Sequence, residues 1–73
     1  MQKVTLGQFI TKRREELGYK KIEFSRLVGV GDDSLRRWEK DIFKPAGINA
    51  RNLIKLLKFS PEESRHYFGD YHG

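Results

Sequence analysis

The sequence predicts an all-α domain of five short helices, and three observations predict it. Apolar residues recur three and four apart in successive short stretches, and nowhere alternate with the period of a strand. Two stretches open with a reciprocal capping pattern, Thr5-Leu-Gly-Gln8 and Ser60-Pro-Glu-Glu63. Glycine or proline punctuates the intervals between them. At 73 residues the chain is expected to form one compact domain, with a core at about 5–69 and a frayed tail at 70–73.

In the first helix, the Thr5 hydroxyl and Gln8 amide are placed to satisfy backbone N–H groups that have no intrahelical partner. Leu6, Phe9, Ile10 and Leu17 then share one face, and Gly18 stops the helix. The second helix runs from about Lys20 to Val28, with Phe24, Leu27 and Val28 as its apolar stripe. Ser25 is small where another helix must approach. Gly29 sits where the chain reverses, a place for the positive φ that glycine adopts at little cost. Val30 tucks that turn into the core. Asp32, Asp33 and Ser34 open a third helix just after Gly31, because acids in a first turn complement the helix dipole. It continues to about Lys40 with Leu35 and Trp38 facing inward. Pro45 and Gly47 make Ile42 to Ile48 a loop. The fourth helix, about Asn49 to Lys58, turns Leu53, Leu56 and Leu57 inward. The fifth begins at the Ser60 cap with proline at its first helical position, and ends near Gly69. Two short amphipathic helices joined at Gly29 form the pattern of a helix-turn-helix, which points one helix at a DNA groove.

Composition narrows the classes. Lysine and arginine number 15 against 10 acids, and the net charge of +5 favours a polyanionic partner without naming it. The absence of cysteine removes disulfides and thiolate metal ligands, and fits a reducing cytosol. No apolar run approaches the roughly 20 residues of a membrane span. The first residues, Met1 to Thr5, lack the apolar region of a signal peptide. His66, among Glu62, Glu63 and Ser64, has neither convergent ligands nor a base–nucleophile partner in the pattern, and reads as an exposed helical histidine. Gly29-Val-Gly31 is too short for a phosphate-cradling loop. No enzyme activity, metal, cofactor or small-molecule ligand is indicated.

The sequence resembles the lambda-repressor-like (Cro/phage-repressor, XRE) helix-turn-helix family over about Leu6 to Phe68. The resemblance rests on Leu6-Gly7, Arg13 through Gly18, Phe24 through Val30, Leu35-Arg-Arg-Trp-Glu39, Pro45, and Leu53 through Glu63, in that order and spacing. It implies a five-helix domain whose third helix enters the major groove of double-stranded DNA. It also implies a transcriptional regulator, a repressor in the first instance, acting in a bacterial or phage-infected cytosol and binding two-fold sites as a homodimer. It implies an ion pair between Arg14 and Glu39. Arg14 falls on the stripe between Ile10 and Leu17, where an isolated charge would be costly. The sequence departs from the family in having Lys20-Lys21 where Ser-Gln is common, and Asp41 where glycine is common. Asp32 and Asp33 stand at positions that are often neutral or basic.

With Leu35 and Trp38 turned inward, Asp33, Ser34 and Arg37 are the base-reading candidates for a major groove about 12 Å wide. The Arg37 fork matches O6 and N7 of guanine, and the Asp33 carboxylate matches the N4 amine of cytosine or positions Arg37. Alternatively, Asp33 and Arg37 form an i,i+4 pair and both acids only stabilise the helix start. Lys20, Lys21, Arg36, Lys40 and Lys44 are candidates for backbone phosphates, or else a solvated charged surface. The Ile42-Phe43 loop and the Tyr67-Phe68-Tyr71 cluster are candidate dimer surfaces, with core packing the alternative for Phe68. The rival function is a protein-interaction module, such as an antitoxin-like or anti-repressor partner. It is suggested by the acidic helix start and by Phe43, Tyr67 and Tyr71.

Overall fold

The computed structural model describes residues 4–69. In chain order these form α1 (Leu6–Glu16), α2 (Lys21–Val28), α3 (Asp32–Glu39), α4 (Ile48–Leu56) and α5 (Pro61–Phe68), with no strand among the described residues. Asp70 to Gly73, including Tyr71, lie outside the described residues.

Local chemistry sets most helix ends. At α1 the Gln8 N–H donates to the Thr5 hydroxyl oxygen at 3.1 Å and the Thr5 N–H donates to the Gln8 side-chain oxygen at 3.0 Å. Ser60 and Glu63 reproduce this exchange at α5, at 3.0 and 2.8 Å. Lys20 offers no side-chain acceptor, so α2 has half of the arrangement: the Lys20 N–H donates to the Glu23 carboxylate at 3.1 Å. At the end of α2, Gly29 adopts φ 88°, and the N–H groups of Gly29 and Val30 both reach the Ser25 carbonyl at 2.9 Å. α4 starts one residue before the expected Asn49 and ends at Leu56 rather than Lys58, because Lys58 has already turned to φ 55°.

Ile10, Phe24, Val28, Leu35, Trp38, Leu53, Leu57 and Phe59 form the central cluster, with Leu6, Phe9, Val30, Leu56 and Phe68 packed at its margin. Leu27 does not join the stripe expected of it and is 54% exposed. It lies about 100° round the helix from Val28, and α2 turns Phe24, Ser25 and Val28 inward instead. Leu17 falls just past the end of α1 and is also exposed.

α5 is fastened to α1 through an aromatic layer. The Phe9 ring lies 4.7 Å from Phe59 and 5.0 Å from Tyr67, and Phe68 lies 5.8 Å from Phe59. Arg13 crosses this layer: its guanidinium sits 4.8 Å from the Phe9 ring centre, and it donates to the Leu57 carbonyl at 2.9 Å and to Glu63 at 3.0 Å. The backbone N–H of Ser60 holds the Glu63 carboxyl below its ordinary value of 4.5; partial burial opposes this, and the Arg13 charge assists it. A depressed folded value means that the stabilisation is complete above the ordinary value and is lost as pH falls through the folded one. Thermal scans from neutral pH down to about pH 3 should therefore show a shallower acid limb for Glu63→Gln than for the parent chain. Parallel acid limbs would contradict the assignment.

The first turn of α1 runs into the end of α3. A Cβ placed on Gly7 would strike the Glu39 carbonyl oxygen and lie 2.6 Å from that of Trp38. Only glycine lets the two backbones approach this closely. Gly7→Ala should lower unfolding stability by about 3 kcal/mol in urea titrations; an unchanged midpoint would show that the helices do not meet there.

Candidate nucleic-acid interface

α3 is held at both ends. At its start, the buried Ser25 hydroxyl lies 3.0 Å from the Asp32 carboxylate and 3.0 Å from the Ile22 carbonyl, so Asp32 ties α3 to α2. At its end, Arg14 Nε donates to Glu39 Oε2 at 2.8 Å, and Arg14 Nη1 donates to the Tyr19 carbonyl at 2.8 Å. The Arg14 and Glu39 side chains are only 5% and 7% exposed.

Asp41 adds a second tie. Its φ is 61°, a left-handed turn that aspartate tolerates better than most residues with a side chain. Its carboxylate accepts the Gly7 N–H at 2.8 Å and the Thr5 hydroxyl at 2.6 Å. Where glycine is common in the resembling family, this aspartate both makes the turn and places an anion on the N-terminus of α1.

Between these ties, Leu35 and Trp38 are buried, and Asp33, Arg36, Arg37 and Lys40 follow one another at i, i+3, i+4 and i+7 on the exposed side. Ser34 is half-buried on the flank. Asp33 pairs with Arg36 at 2.9 Å. The expected alternative, an i,i+4 pair of Asp33 with Arg37, is thus replaced by an i,i+3 pair. The Arg37 guanidinium instead lies over the Phe43 ring, 5.5 Å from its centre.

The candidate phosphate contacts divide. Lys21 lines a shallow groove with Ile22, Asp32, Asp33, Leu35 and Arg36, which brings the start of α2 beside the start of α3. Lys20 precedes it and is exposed, as is Lys40 just beyond α3. Lys44 lies across the following loop, its ammonium 5.7 Å from the Phe68 ring centre. Of the proposed dimer contacts, Ile42 and Phe43 are exposed. Tyr67 is half-buried: it packs on Phe9 and its hydroxyl donates to the Val4 carbonyl at 3.1 Å, while burial and then the Glu63 charge push its phenol up. Phe68 is also half-buried, against Phe59. His66 is exposed, edge-on to Tyr67 at 4.7 Å. Among the described residues no group of three or more His, Cys, Asp or Glu is placed to hold a metal, and no helix is long and apolar enough to cross a membrane.

A family model described as helix-turn-helix matches residues 10–64, a span that includes Arg14, Ser25, Asp32 and Glu39 and the whole of α2 to α4. The chain belongs to the lambda-repressor-like helix-turn-helix family. This helix-turn-helix chain is 32% identical over 57 residues to repressor protein C2 of Salmonella phage P22, in a match covering 78% of this chain and 26% of that protein. The chain therefore spans about a quarter of the length of that curated relative. Its fold is similar to the solution structure of the DNA-binding domain of the P22 C2 repressor, with a TM-score of 0.76 and 30% identity over 88% of this chain and 84% of that one.

Asp41, Asp32 and Phe43 are the members of this helix-turn-helix whose contacts carry no local sequence signal. Asp41 reaches 34 residues back to Gly7, and no spacing rule connects them. Glu39 is the sharper test of the arrangement. Removing one member of a buried pair leaves an uncompensated charge, so Glu39→Ala should lower unfolding stability by about 3–5 kcal/mol. Arg36→Ala, which breaks an exposed pair, should change it by less than about 1 kcal/mol. Equal effects in denaturant titration would show that Arg14 and Glu39 behave as surface charges.

Proposed function

We propose that this domain binds double-stranded DNA in a sequence-specific way, with α3 lying in the major groove, and that it serves as a transcriptional repressor. The observation that carries this reading is the outward face of α3. Asp33, Arg36, Arg37 and Lys40 stand opposite Leu35 and Trp38, on a helix whose two ends are fixed to α2 and α1. A short helix held this way presents polar groups to base edges without having to be ordered first. The similarity to a phage repressor and to a DNA-binding domain of known structure supports the same reading.

Asp33, Ser34 and Arg37 are the proposed base contacts, with Ser34 reaching from the flank. Lys20, Lys21, Arg36, Lys40 and Lys44 are proposed to bind phosphates, which position the helix without reading sequence. The Arg36 guanidinium, paired with Asp33 at 2.9 Å, also offsets the repulsion that Asp33 would otherwise exert on the duplex. Two copies are proposed to occupy half-sites about one DNA turn apart, with the exposed Ile42-Phe43 loop as a contact candidate.

Selection from a random duplex pool should recover a short sequence, and a palindrome would match paired copies. Binding to the recovered duplex should weaken with salt, with a log–log slope of about −5 for roughly six phosphate contacts. No enrichment together with a slope near zero would overturn the reading in favour of a protein-interaction role.

A further inference from the structure

Arg36 and Arg37 leave α3 on the same exposed side, yet different groups hold them. The Arg36 guanidinium bonds the Asp33 carboxylate at 2.9 Å, which commits an edge of its fork. Among the described residues, the Arg37 side chain makes no hydrogen bond or ion pair; its guanidinium carbon lies 5.5 Å from the centre of the Phe43 ring. A guanidinium over an aromatic face keeps its in-plane donors open while losing much of its rotational freedom.

Phe43 does not owe its place to the core, since it is 57% exposed. The chain is folded back under it by the N–H groups of Ile42 and Phe43, which reach the Arg37 carbonyl at 2.9 and 3.4 Å. The backbone of residue 37 thus anchors the loop, and the ring of that loop holds the side chain of residue 37. The bases that this face suits are also restricted. Asp33, Arg36, Arg37 and Lys40 include no amide, the group that pairs bidentately with adenine.

Resting on the DNA-binding reading above, we infer that Phe43 is a positioning residue for Arg37, and that together they select a guanine in the recognised half-site. Arg37 meets guanine O6 and N7 with its fork. Phe43 touches no base and acts by fixing the plane and reach of that fork. Its exposed ring is therefore part of the reading head although it lies outside the helix.

The test uses the whole chain and the duplex recovered by selection, with each guanine replaced in turn by 7-deazaguanine, which lacks the N7 acceptor. Fluorescence anisotropy should show about a tenfold preference for guanine at one position of the half-site. Arg37→Ala should abolish that preference, and Arg37→Lys should weaken it while keeping the salt dependence. Phe43→Leu should reduce the preference about threefold without lowering the melting temperature, and Phe43→Tyr should retain it. Full discrimination in Phe43→Leu would overturn the inference. So would an equal loss on guanine and 7-deazaguanine duplexes, which marks the ring as a partner anchor. A recovered sequence indifferent to every 7-deazaguanine would overturn this inference and leave DNA binding standing, whereas no recovered sequence would overturn both.

Discussion

The seam between α1 and the end of α3 is the constraint on which the rest of the structure depends. Three contacts coincide there: the buried Arg14–Glu39 pair, the Asp41 carboxylate on the Gly7 N–H and Thr5 hydroxyl, and the close backbone approach at Gly7. Burying a charge pair gives little net stability, because desolvation offsets most of the attraction. Its effect here is directional. Arg14 is fixed at a second point by the Tyr19 carbonyl, and among the described residues no buried side-chain nitrogen or oxygen lacks a partner. A fully satisfied pair of this kind tolerates few geometries. The angle between α1 and α3 is set by it rather than by apolar packing alone.

That constraint matters because α3 is only eight residues long. A helix of this length has no independent stability in water, so its form and its aim both come from what it is fastened to. Asp32 and Ser25 fasten its first turn, and Glu39 and Asp41 fasten its last. Leu35 and Trp38 sit between as the buried side. What remains outward is a compact set of charges in which Asp33 is partnered by Arg36. The acidic helix start, unexpected for a surface proposed to meet phosphates, is thereby divided between a structural residue, Asp32, and a neutralised one, Asp33.

What the sequence disclosed follows the range of each interaction. Capping boxes span three residues, so Thr5–Gln8 and Ser60–Glu63 were legible as helix starts. The reversal at Gly29 was legible for the same reason, and so was the inward placing of Leu35 and Trp38, three apart in one short helix. Leu27 was misplaced because two turns of helix give too few positions to fix the centre of a buried stripe. The charges of α3 were legible as exposed but not as partners: Asp33 lies three residues from Arg36 and four from Arg37, and both spacings are sterically equivalent on a helix. Asp41 was beyond reach altogether. Its partners lie at the other end of a three-helix path, α1 to α3, and its identity as a non-glycine at a left-handed turn pointed only to a departure. Phe43 was read only as a candidate dimer or partner contact because its contact with Arg37 depends on how the loop folds back, which the Arg37 carbonyl decides.

The central claim is that Arg14 and Glu39 act on one another across the α1–α3 seam. A double-mutant cycle with Arg14→Met and Glu39→Met, read by urea unfolding, tests it most directly. The account predicts a coupling energy of about 2–3 kcal/mol, with the double variant more stable than the sum of the single losses allows. Additive losses, with a coupling within a few tenths of a kcal/mol of zero, would contradict it.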